Sequence, residues 1–530
     1  MSRYFLAFIL TIGLIGSIYL VPQASPSSTD NFNGIIKVED GLISGSTLEG
    51  VRIFKGIPYA APPIGNLRWK PPQPALPWNG VRECTEYGPD CPQAPYAQTS
   101  LYYAQPRRQS EDCLYLNIWS SAKPGEAQPV MVWIHGGALT RGSGATKTYD
   151  GTSFAKKGVV LVTINYRLGP LGYLAHPELT AESPNQSSGN YGILDQITAL
   201  KWVQKNIRAF GGDPNRVTIF GESAGSWSVN ALVASPLAKG LFHRAIGQSG
   251  GSFGPMTSLK EDKKGFISAE KIGAAFGKAI GAESLQAMRT VPVEKIIEVF
   301  NNDIEGRKFR TSPNVDGWVL PDEIRNIFAK GKQNAVPVII GSNANEMTSL
   351  TTPAILPKTM ADYRKRVKSQ YGAMIKEFDA IYPVQNEADI AGAILGSMRD
   401  VAFTLPMRTW AKMTGTGKSK AYLYYFSHVP PNPNSKYLGA YHAAEIAYVF
   451  NNLNRQNLLL QEADFQLAQL MMNYWVNFAK TGNPNGKGLP QWTAYNQKEE
   501  PYLEFGNPVR SGNHLLKPQL DFIEKFQNQP

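Results

Sequence analysis

Short runs of apolar residues recur along the chain and alternate with segments of helical periodicity. The clearest runs, which we interpret as buried strands, lie at 130–134, 159–164, 217–220, 336–340 and 422–426. Apolar residues spaced three and four apart predict one helix over 193–207 and another over 465–478. Strands that alternate with helices predict the α/β class, with a mostly parallel, doubly wound central sheet. In such sheets, functional side chains lie at the carboxyl ends of the strands.

The first part of the chain has a different pattern. Residues 35–60 contain short strand-like runs separated by turn residues. Residues 61–80 are rich in Pro and Gly and predict a surface loop that Arg68 and Trp69 hold in place. Residues 81–110 show no clear period, so we interpret them as a long loop or flap that precedes the alternating region.

The strand predicted at 217–220 runs directly into the sequence GESAG at 221–225. This G-x-S-x-G pattern is typical of a nucleophile elbow, a sharp turn from strand to helix that exposes a serine hydroxyl. Two further matches centre on Ser249 and Ser252, but the chain after them is rich in Gly, Ser and Pro, as in a loop. Only Ser223 has a clean strand before it and a helix-competent segment after it. We therefore predict that Ser223 is the catalytic nucleophile of an ester hydrolase.

A serine hydroxyl becomes a good nucleophile when a histidine accepts its proton and a carboxylate orients the histidine. In the α/β-hydrolase arrangement, the acid and then the histidine follow the serine along the chain. Of the six histidines, His428, His442 and His514 can satisfy that order. His442 lies in the Gly- and Ala-rich segment LGAYHAAE, from which it can reach across a cleft, so its position favours it as the base.

The acid of such a site should come just after the end of a strand. Glu346 follows the strand predicted at 336–340 after a short turn that contains Gly and Asn. Asp316, in the segment NVDGW, is the alternative, but no clear strand precedes it. Aspartate in such a segment is typical of a turn, so we predict Glu346 as the acid.

The sequence HGGA at 135–138 ends the strand predicted at 130–134, one strand–helix unit before the elbow. Loops of this H-G-G-G type supply backbone N–H groups that stabilise the negative charge of a tetrahedral intermediate. The residue after the nucleophile, here Ala224, supplies another. The pattern therefore predicts an oxyanion hole beside Ser223.

Taken together, these residues resemble the type-B carboxylesterase/cholinesterase family of α/β-hydrolases. The resemblance runs from about residue 35 to the C-terminal helix and includes the stretches FKGIPYAAPPIGNLRW, SEDCLYLNIW, FGESAG and GAYHAAEIAYVF. It implies an α/β-hydrolase fold, in which helices flank a central, mostly parallel sheet. It also implies one catalytic domain with long loop insertions over 25–530, an active-site gorge, and hydrolysis of small-molecule esters without a metal or cofactor.

The resemblance assigns a role to each candidate residue. The nucleophile, acid and base of the family correspond, in that order, to Ser223, Glu346 and His442. Its oxyanion donors correspond to Gly137, Ala138 and Ala224.

Two structural features are also implied by the resemblance. Cys91 pairs with Cys113 in a disulfide, which leaves Cys84 free. Arg68 and Glu111 form a buried ion pair.

Several residues depart from the family pattern. Ala138 replaces the third glycine of the oxyanion loop, but only its N–H group is needed, so the hole should persist with a slightly narrower pocket. Leu139 stands where an aromatic residue is common. Tyr103, counted back from SEDC, stands where cholinesterases carry a tryptophan that stacks on choline, and a tyrosine makes a weaker cation–π contact. These departures favour a carboxylesterase over a cholinesterase.

Glu222, beside the serine, either tunes the electrostatics of the site or makes a structural hydrogen bond.

Two other functions are alternatives to a carboxylesterase. One is a lipase-like hydrolase of long-chain acyl esters. The other is a non-catalytic adhesion or binding protein, since the family includes such members. Inactive members typically lack the serine, whereas all three triad positions are filled here, which disfavours this alternative.

The charge of the chain changes this picture little. Its 530 residues carry a formal net charge of +11, which could favour nucleic acid as a partner. The positive residues are scattered, however, and the densest run, at 364–368, is typical of a solvated helix face. We therefore expect no nucleic-acid partner, and the sequence does not indicate an oligomeric state.

The N-terminus has the pattern of a targeting segment. Arg3 precedes an uncharged apolar stretch over 4–21, and Pro22 and polar residues follow, which predicts a signal peptide over 1–24. The stretch is long for a signal peptide, so an uncleaved anchor is the alternative. No later stretch is apolar for long enough to span a membrane. We expect a secreted or periplasmic protein without an obligatory membrane partner, in a compartment that favours a disulfide among the three cysteines.

Overall fold

The computed structural model describes residues 30–31, 34–123, 125–263, 265–303, 308–309, 311–415, 417, 419–455 and 459–529. The segment 1–24, predicted as a signal peptide or anchor, lies outside these residues. None of the helices in the described ranges combines the length and the apolar character needed to cross a membrane.

Fifteen strands lie within the described residues. In chain order, β1 to β15 are Asp30–Asn31, Ile36–Val38, Gly41–Ser44, Ser46–Leu48, Val51–Pro58, Val81–Glu83, Tyr115–Ser120, Gln128–Ile134, Val160–Ile164, Gly212–Glu222, Arg244–Gln248, Val338–Asn343, Ala421–Phe426, Pro501–Phe505 and Arg510–Asn513.

Eighteen α-helices lie within the same residues. In chain order, α1 to α18 are Thr152–Lys156, Gly169–Tyr173, Pro177–Glu182, Tyr191–Asn206, Ala224–Ala234, Ala269–Ala279, Leu285–Thr290, Val293–Asn302, Ile324–Ala329, Glu346–Leu350, Met360–Tyr371, Ile375–Ile381, Ile390–Arg399, Leu405–Gly415, Ser435–Leu438, Ile446–Val449, Glu462–Thr481 and Lys517–Gln527.

Twelve of the described strands form one large sheet, in the order β1-β4-β5-β7-β9-β8-β10-β11-β12-β13-β14-β15. The pairings from β9 through to β14 are parallel. The pairings at both ends of the sheet are antiparallel. Strands β2, β3 and β6 form a separate small sheet. The predicted fold class, an α/β protein with a mostly parallel central sheet flanked by helices, is therefore confirmed.

Helices cover both faces of the parallel region, which explains why its strands are continuous apolar runs. Successive residues of a strand point to opposite faces, so a strand buried on both faces needs apolar residues at every position. In β8, Val130, Val132 and Ile134 pack into the core that α4 and α5 share, while Met131 and Trp133 pack into a second core with α17. The sequence pattern is thus a direct consequence of the layered architecture.

The hydrophobic pattern does not predict β11, although this strand lies at the centre of the sheet. Its sequence, RAIGQ, offers only Ala245 and Ile246 as an apolar run before a loop rich in Gly and Ser. Parallel neighbours on both sides, β10 and β12, satisfy its backbone groups and bury it. Tertiary pairing therefore outweighs the weak local signal.

The carboxyl ends of the parallel strands bring the candidate residues to one edge of the sheet. Strands β8, β10, β11 and β12 end at Ile134, Glu222, Gln248 and Asn343, and these four residues lie at that edge. The predicted oxyanion loop, the elbow and the predicted acid all begin within three residues of these ends.

Candidate active site

Ser223 lies at a sharp turn between the end of β10 and the first residue of α5. Its backbone has φ 55° and ψ −121°, a conformation that non-glycine residues adopt rarely. The Ser223 N–H donates a 2.8 Å hydrogen bond to the carbonyl oxygen of Gln248, which ties the turn to β11. A Cβ atom on Gly225 would clash with the carbonyl oxygen of Ile134, so only glycine permits this close approach of α5 to β8.

The structure separates the three serines that share the sequence pattern. Ser223 is half-buried. Ser249 is fully buried, and its hydroxyl has no hydrogen-bond partner among the described residues. Ser252 lies in an irregular segment, where its N–H donates to the side-chain oxygen of Asn230. Of the three, Ser223 alone sits at a strand-to-helix turn.

Glu346 and His442 are in direct contact. The Nδ1 atom of His442 lies 2.6 Å from the Oε2 atom of Glu346, and both side chains are buried. The other carboxylate oxygen of Glu346 accepts a 2.7 Å hydrogen bond from the N–H of Asn343, at the end of β12. One oxygen therefore anchors the carboxylate to the sheet while the other orients the imidazole.

The loop that carries His442 is fastened to the end of β12. Asn345 donates its N–H to the carbonyl of Ala440, and the N–H of Ala440 donates back to the Asn345 side chain at 3.0 Å. The Asn343 side chain donates a 2.8 Å hydrogen bond to the carbonyl of Tyr441. These bonds hold His442 beside Glu346, although 96 positions separate the two residues in the chain.

Glu222 faces the other nitrogen of the histidine. Its Oε1 atom lies 3.1 Å from His442 Nε2, and it has no hydrogen-bond partner of favourable geometry in the described chain. Burial raises the pKa of Glu222 well above its usual value. Burial also lowers the pKa of His442, but the carboxylates of Glu222 and Glu346 outweigh it and raise this pKa to about 9. Among the hydrogen bonds of the described residues, none joins the Ser223 hydroxyl to His442.

A buried polar network at the ends of β11 and β12 has no counterpart in the sequence predictions. Glu445 is fully buried and accepts hydrogen bonds of 2.9 Å from Gln248 and 2.7 Å from Asn343. The Gln248 side chain also accepts a 3.2 Å hydrogen bond from the indole of Trp475. Gln248 and Asn343 end neighbouring strands, so a polar residue at a strand end was the signal that could have revealed the network.

The loop after β8, which carries two of the predicted oxyanion donors, has an unusual backbone conformation. Gly137, Ala138 and Leu139 all have positive φ values, of 104°, 56° and 62°. The carbonyl of Gly137 turns into the loop, where it accepts hydrogen bonds of 3.0 Å from the N–H groups of Thr140 and Arg141. Within the described residues, no hydrogen bond uses the N–H of Gly137 or Ala138.

Ala224 is the first residue of α5, where a helical N–H has no partner within the helix. A helix N-terminus also carries a partial positive charge that favours a developing oxyanion. The three predicted donors thus belong to two segments that meet at the elbow, since the Gly136 backbone packs against Glu222 and Ser223.

Two aromatic residues, Phe403 and Tyr102, contact His442. The Phe403 ring centroid lies 4.8 Å from that of His442. The Tyr102 hydroxyl donates a 3.0 Å hydrogen bond to the carbonyl of His442, and its ring lies 5.8 Å from that of Tyr96. The hydroxyl of Tyr103 bonds instead to Gln105, at 3.2 Å. Tyr102 is thus an aromatic residue of the flap that contacts the histidine, whereas Tyr103, which stands where cholinesterases carry a choline-stacking tryptophan, bonds within the flap.

The structure places the remaining predicted pairs close to the site but outside it. Cys91 and Cys113 form a disulfide, with a Cα–Cα distance of 5.0 Å, and Cys84 is a buried free thiol. Arg68 donates two hydrogen bonds to the carboxylate of Glu111, of 2.7 and 2.6 Å. These contacts fasten the flap and the Pro-rich loop to the rest of the fold.

The alternative acid and histidines have structural partners or lie on the surface. Asp316 accepts hydrogen bonds from the backbone N–H groups of Trp318 and Leu320, as a turn-forming aspartate does. His428 lies 2.7 Å from the carboxylate of Asp464. His514 is exposed.

Comparison with known proteins decides which family these features represent. A model of the carboxylesterase family matches residues 33–523. The chain belongs to the carboxylesterase family. This carboxylesterase is 37% identical to a fumonisin B1 esterase from Sphingopyxis macrogoltabida over 511 residues, which cover 93% of the chain and 90% of the relative. It is also 37% identical to the para-nitrobenzyl esterase of Bacillus subtilis (strain 168) over 493 residues, which cover 90% of the chain and 96% of that relative.

Solved structures support the same relationship. The carboxylesterase superposes on a carboxylesterase from Geobacillus stearothermophilus with a TM-score of 0.80 at 34% identity, covering 92% of this chain and 98% of the other. The resemblance seen in the sequence motifs is confirmed, and the protein is a carboxylic ester hydrolase that acts on small-molecule esters.

Proposed function

We propose that this carboxylesterase hydrolyses esters through a covalent acyl-enzyme on Ser223, with His442 as general base and acid and Glu346 as its partner. The 2.6 Å contact between His442 Nδ1 and Glu346 Oε2 is the observation that carries the proposal. It leaves Nε2 as the nitrogen that accepts the serine proton. Within the described residues, the structure has no hydrogen bond between the Ser223 hydroxyl and His442 Nε2, but such serine–histidine bonds often form only in the substrate complex.

In the first half of the reaction, His442 takes the proton of Ser223, whose oxygen attacks the carbonyl carbon of the ester. The N–H groups of Gly137, Ala138 and Ala224 stabilise the oxyanion. The alcohol leaves with a proton from His442, which produces the acyl-enzyme. Water then gives a proton to His442 and attacks the acyl carbon, and Ser223 regains its proton as the carboxylic acid leaves.

The matched substitutions Ser223→Ala and Ser249→Ala test this proposal. Both remove one hydroxyl from a G-x-S-x-G sequence, but only Ser223 lies at the elbow. We expect Ser223→Ala to lower kcat for 4-nitrophenyl butyrate by at least about a thousand-fold, and Ser249→Ala to retain turnover. Substantial turnover by folded Ser223→Ala would overturn the proposal.

We further propose that residues 1–24 direct export and that 25–530 form one catalytic domain in a secreted or periplasmic enzyme. The support is the charged, apolar and polar succession at the N-terminus. N-terminal sequencing of the protein from cell fractions tests this. A mature N-terminus near residue 25 in the exported fraction is expected, and an intact cytoplasmic chain would overturn it.

A further inference from the structure

Arg141 lies on the loop that carries the proposed oxyanion donors. Its N–H donates a 3.0 Å hydrogen bond to the carbonyl of Gly137, so its backbone is part of the turn that shapes this loop. The side chain extends to the flap, where the guanidinium lies 4.9 Å from the centre of the Tyr96 ring. Arg141 therefore joins the oxyanion loop to the flap.

The Arg141 side chain is partly buried, and its guanidinium has no carboxylate partner among the described residues. Its Nε atom is buried without a hydrogen-bond partner, and no carboxylate oxygen of the described residues lies within 4.0 Å of it. By contrast, the buried arginines Arg167 and Arg408 are paired with Asp195 and Glu500, both at 2.7 Å. Partial burial of a cation without an anionic partner has a free-energy cost, and a bound anion offsets that cost.

The flap connects this cation to the catalytic residues in two steps. The ring of Tyr96 lies 5.8 Å from that of Tyr102, whose hydroxyl donates to the carbonyl of His442 at 3.0 Å. Burial raises the pKa of Tyr96, the positive charge of Arg141 lowers it, and the negative charge of Glu222 raises it. Tyr96 therefore interacts electrostatically with both Arg141 and Glu222, the residue before the proposed nucleophile.

We propose that Arg141 is a specificity-determining residue that binds a carboxylate of the substrate, so that the enzyme favours esters with a second, ionised carboxyl group. Such esters include half-esters of dicarboxylic acids, with the carboxylate in the acyl half, and esters of hydroxy acids, with it in the alcohol half. A guanidinium suits this task because its planar N–H groups match the two oxygens of a carboxylate. This inference rests on the proposed serine esterase mechanism.

Two pairs of esters test the proposal and distinguish the two positions of the carboxylate. Mono(4-nitrophenyl) glutarate against 4-nitrophenyl butyrate tests the acyl half. 4-(Butyryloxy)benzoate against 4-acetylphenyl butyrate tests the alcohol half. The quantity compared is the ratio of kcat/KM for the anionic ester to that for its neutral partner, measured in the wild type and in each variant.

Three variants separate charge, geometry and general effects on the protein. Arg141→Met removes the charge, and Arg141→Lys retains the charge but loses the planar fork. Arg244→Met is the matched control, since Arg244 also has buried guanidinium atoms without partners but lies at the first residue of β11, away from the carboxyl ends of the strands.

We expect Arg141→Met to lower the ratio by about 10- to 100-fold in at least one ester pair, and Arg141→Lys to lower it less. Arg244→Met should leave the ratio within about two-fold.

Equal ratios in the wild type and in both Arg141 variants would overturn the inference, as would an equal fall in Arg244→Met. If Arg141→Met does not fold, the wild-type and Arg141→Lys ratios decide. A wild type that hydrolyses neither kind of ester contradicts the proposed function instead.

Discussion

The Nε2 atom of His442 lies 3.1 Å from the Oε1 atom of Glu222, the residue immediately before the proposed nucleophile. With Glu346 at Nδ1, the imidazole therefore has a carboxylate at each nitrogen. When ionised, both carboxylates stabilise the imidazolium that forms as the histidine accepts the serine proton. The same attraction holds a proton on the resting histidine, so it sets the pH at which His442 becomes a base.

Glu222→Gln should move the acidic limb of the kcat/KM profile to lower pH. Only neutral His442 can act as the base, and its pKa is raised to about 9, so wild-type kcat/KM should increase with pH up to that value. Removing one negative charge lowers the pKa of a neighbouring cation, so we expect a shift of about one pH unit downward. Profiles of 4-nitrophenyl butyrate hydrolysis measure it. An unchanged limb would show that Glu222 does not control this proton.

Glu346→Gln should reduce kcat with little effect on KM. The amide is nearly the same size but carries no charge to stabilise the imidazolium, so we expect a loss of about 10³- to 10⁴-fold. Glu445→Gln is the control, because Glu445 is equally buried but bonds to Gln248 and Asn343 rather than to the histidine. Steady-state kinetics of both variants compare the losses. A larger loss for Glu445→Gln would contradict the proposed role of Glu346.

The proposed nucleophile, acid and base could be chosen from the sequence because each carries a local signal. Ser223 and Glu346 follow the ends of apolar strands, and His442 lies in a distinctive Gly- and Ala-rich segment. Gln248 carries only the weak signal of a polar residue at a strand end, and Glu445, 197 positions away, carries none, so their contact forms only in the folded chain. Local pattern therefore predicts the reacting groups and misses the polar network that supports them.

The flap shows a second limit of sequence pattern. Its residues have no period, so the sequence does not indicate which of its side chains contact His442. In the structure, the Tyr102 hydroxyl donates a hydrogen bond to the carbonyl of His442, a contact that no local pattern indicated. The fold class could be predicted because the buried parallel strands leave continuous apolar runs. The weak strand β11 could not be predicted, because neighbouring strands rather than its own apolar residues stabilise it.

Arg68→Met should destabilise the fold. The Arg68 and Glu111 side chains are 8% and 13% exposed, and Arg68 also donates to the carbonyl of Val291 at 2.6 Å. Removing one partner leaves a buried charge without compensation, which costs about 3–5 kcal/mol. Thermal melting measures the loss. The double variant Arg68→Met/Glu111→Met should melt at a higher temperature than Arg68→Met alone, and equal melting temperatures would contradict a coupled pair.

Thiol titration should find no reactive cysteine in the native enzyme and one per chain after denaturation without reductant. Cys91 and Cys113 are joined in the structure, and burial raises the pKa of Cys84 to about 12. A thiol reagent such as 5,5′-dithiobis(2-nitrobenzoate) measures both values. Cys84→Ser should abolish the signal of the denatured protein. Three thiols in the denatured wild type would contradict the disulfide.

Covalent labelling tests the central claim most directly. A 4-nitrophenyl alkylphosphonate should inactivate the enzyme with release of one 4-nitrophenolate per chain, because its phosphorus is attacked as an ester carbonyl is. Mass spectrometry of the digested protein should find the phosphonyl group on the peptide that contains Ser223, and Ser223→Ala should remain unlabelled. A label on the Ser249 peptide, or labelling of Ser223→Ala at the wild-type rate, would contradict the assignment of Ser223 as the nucleophile.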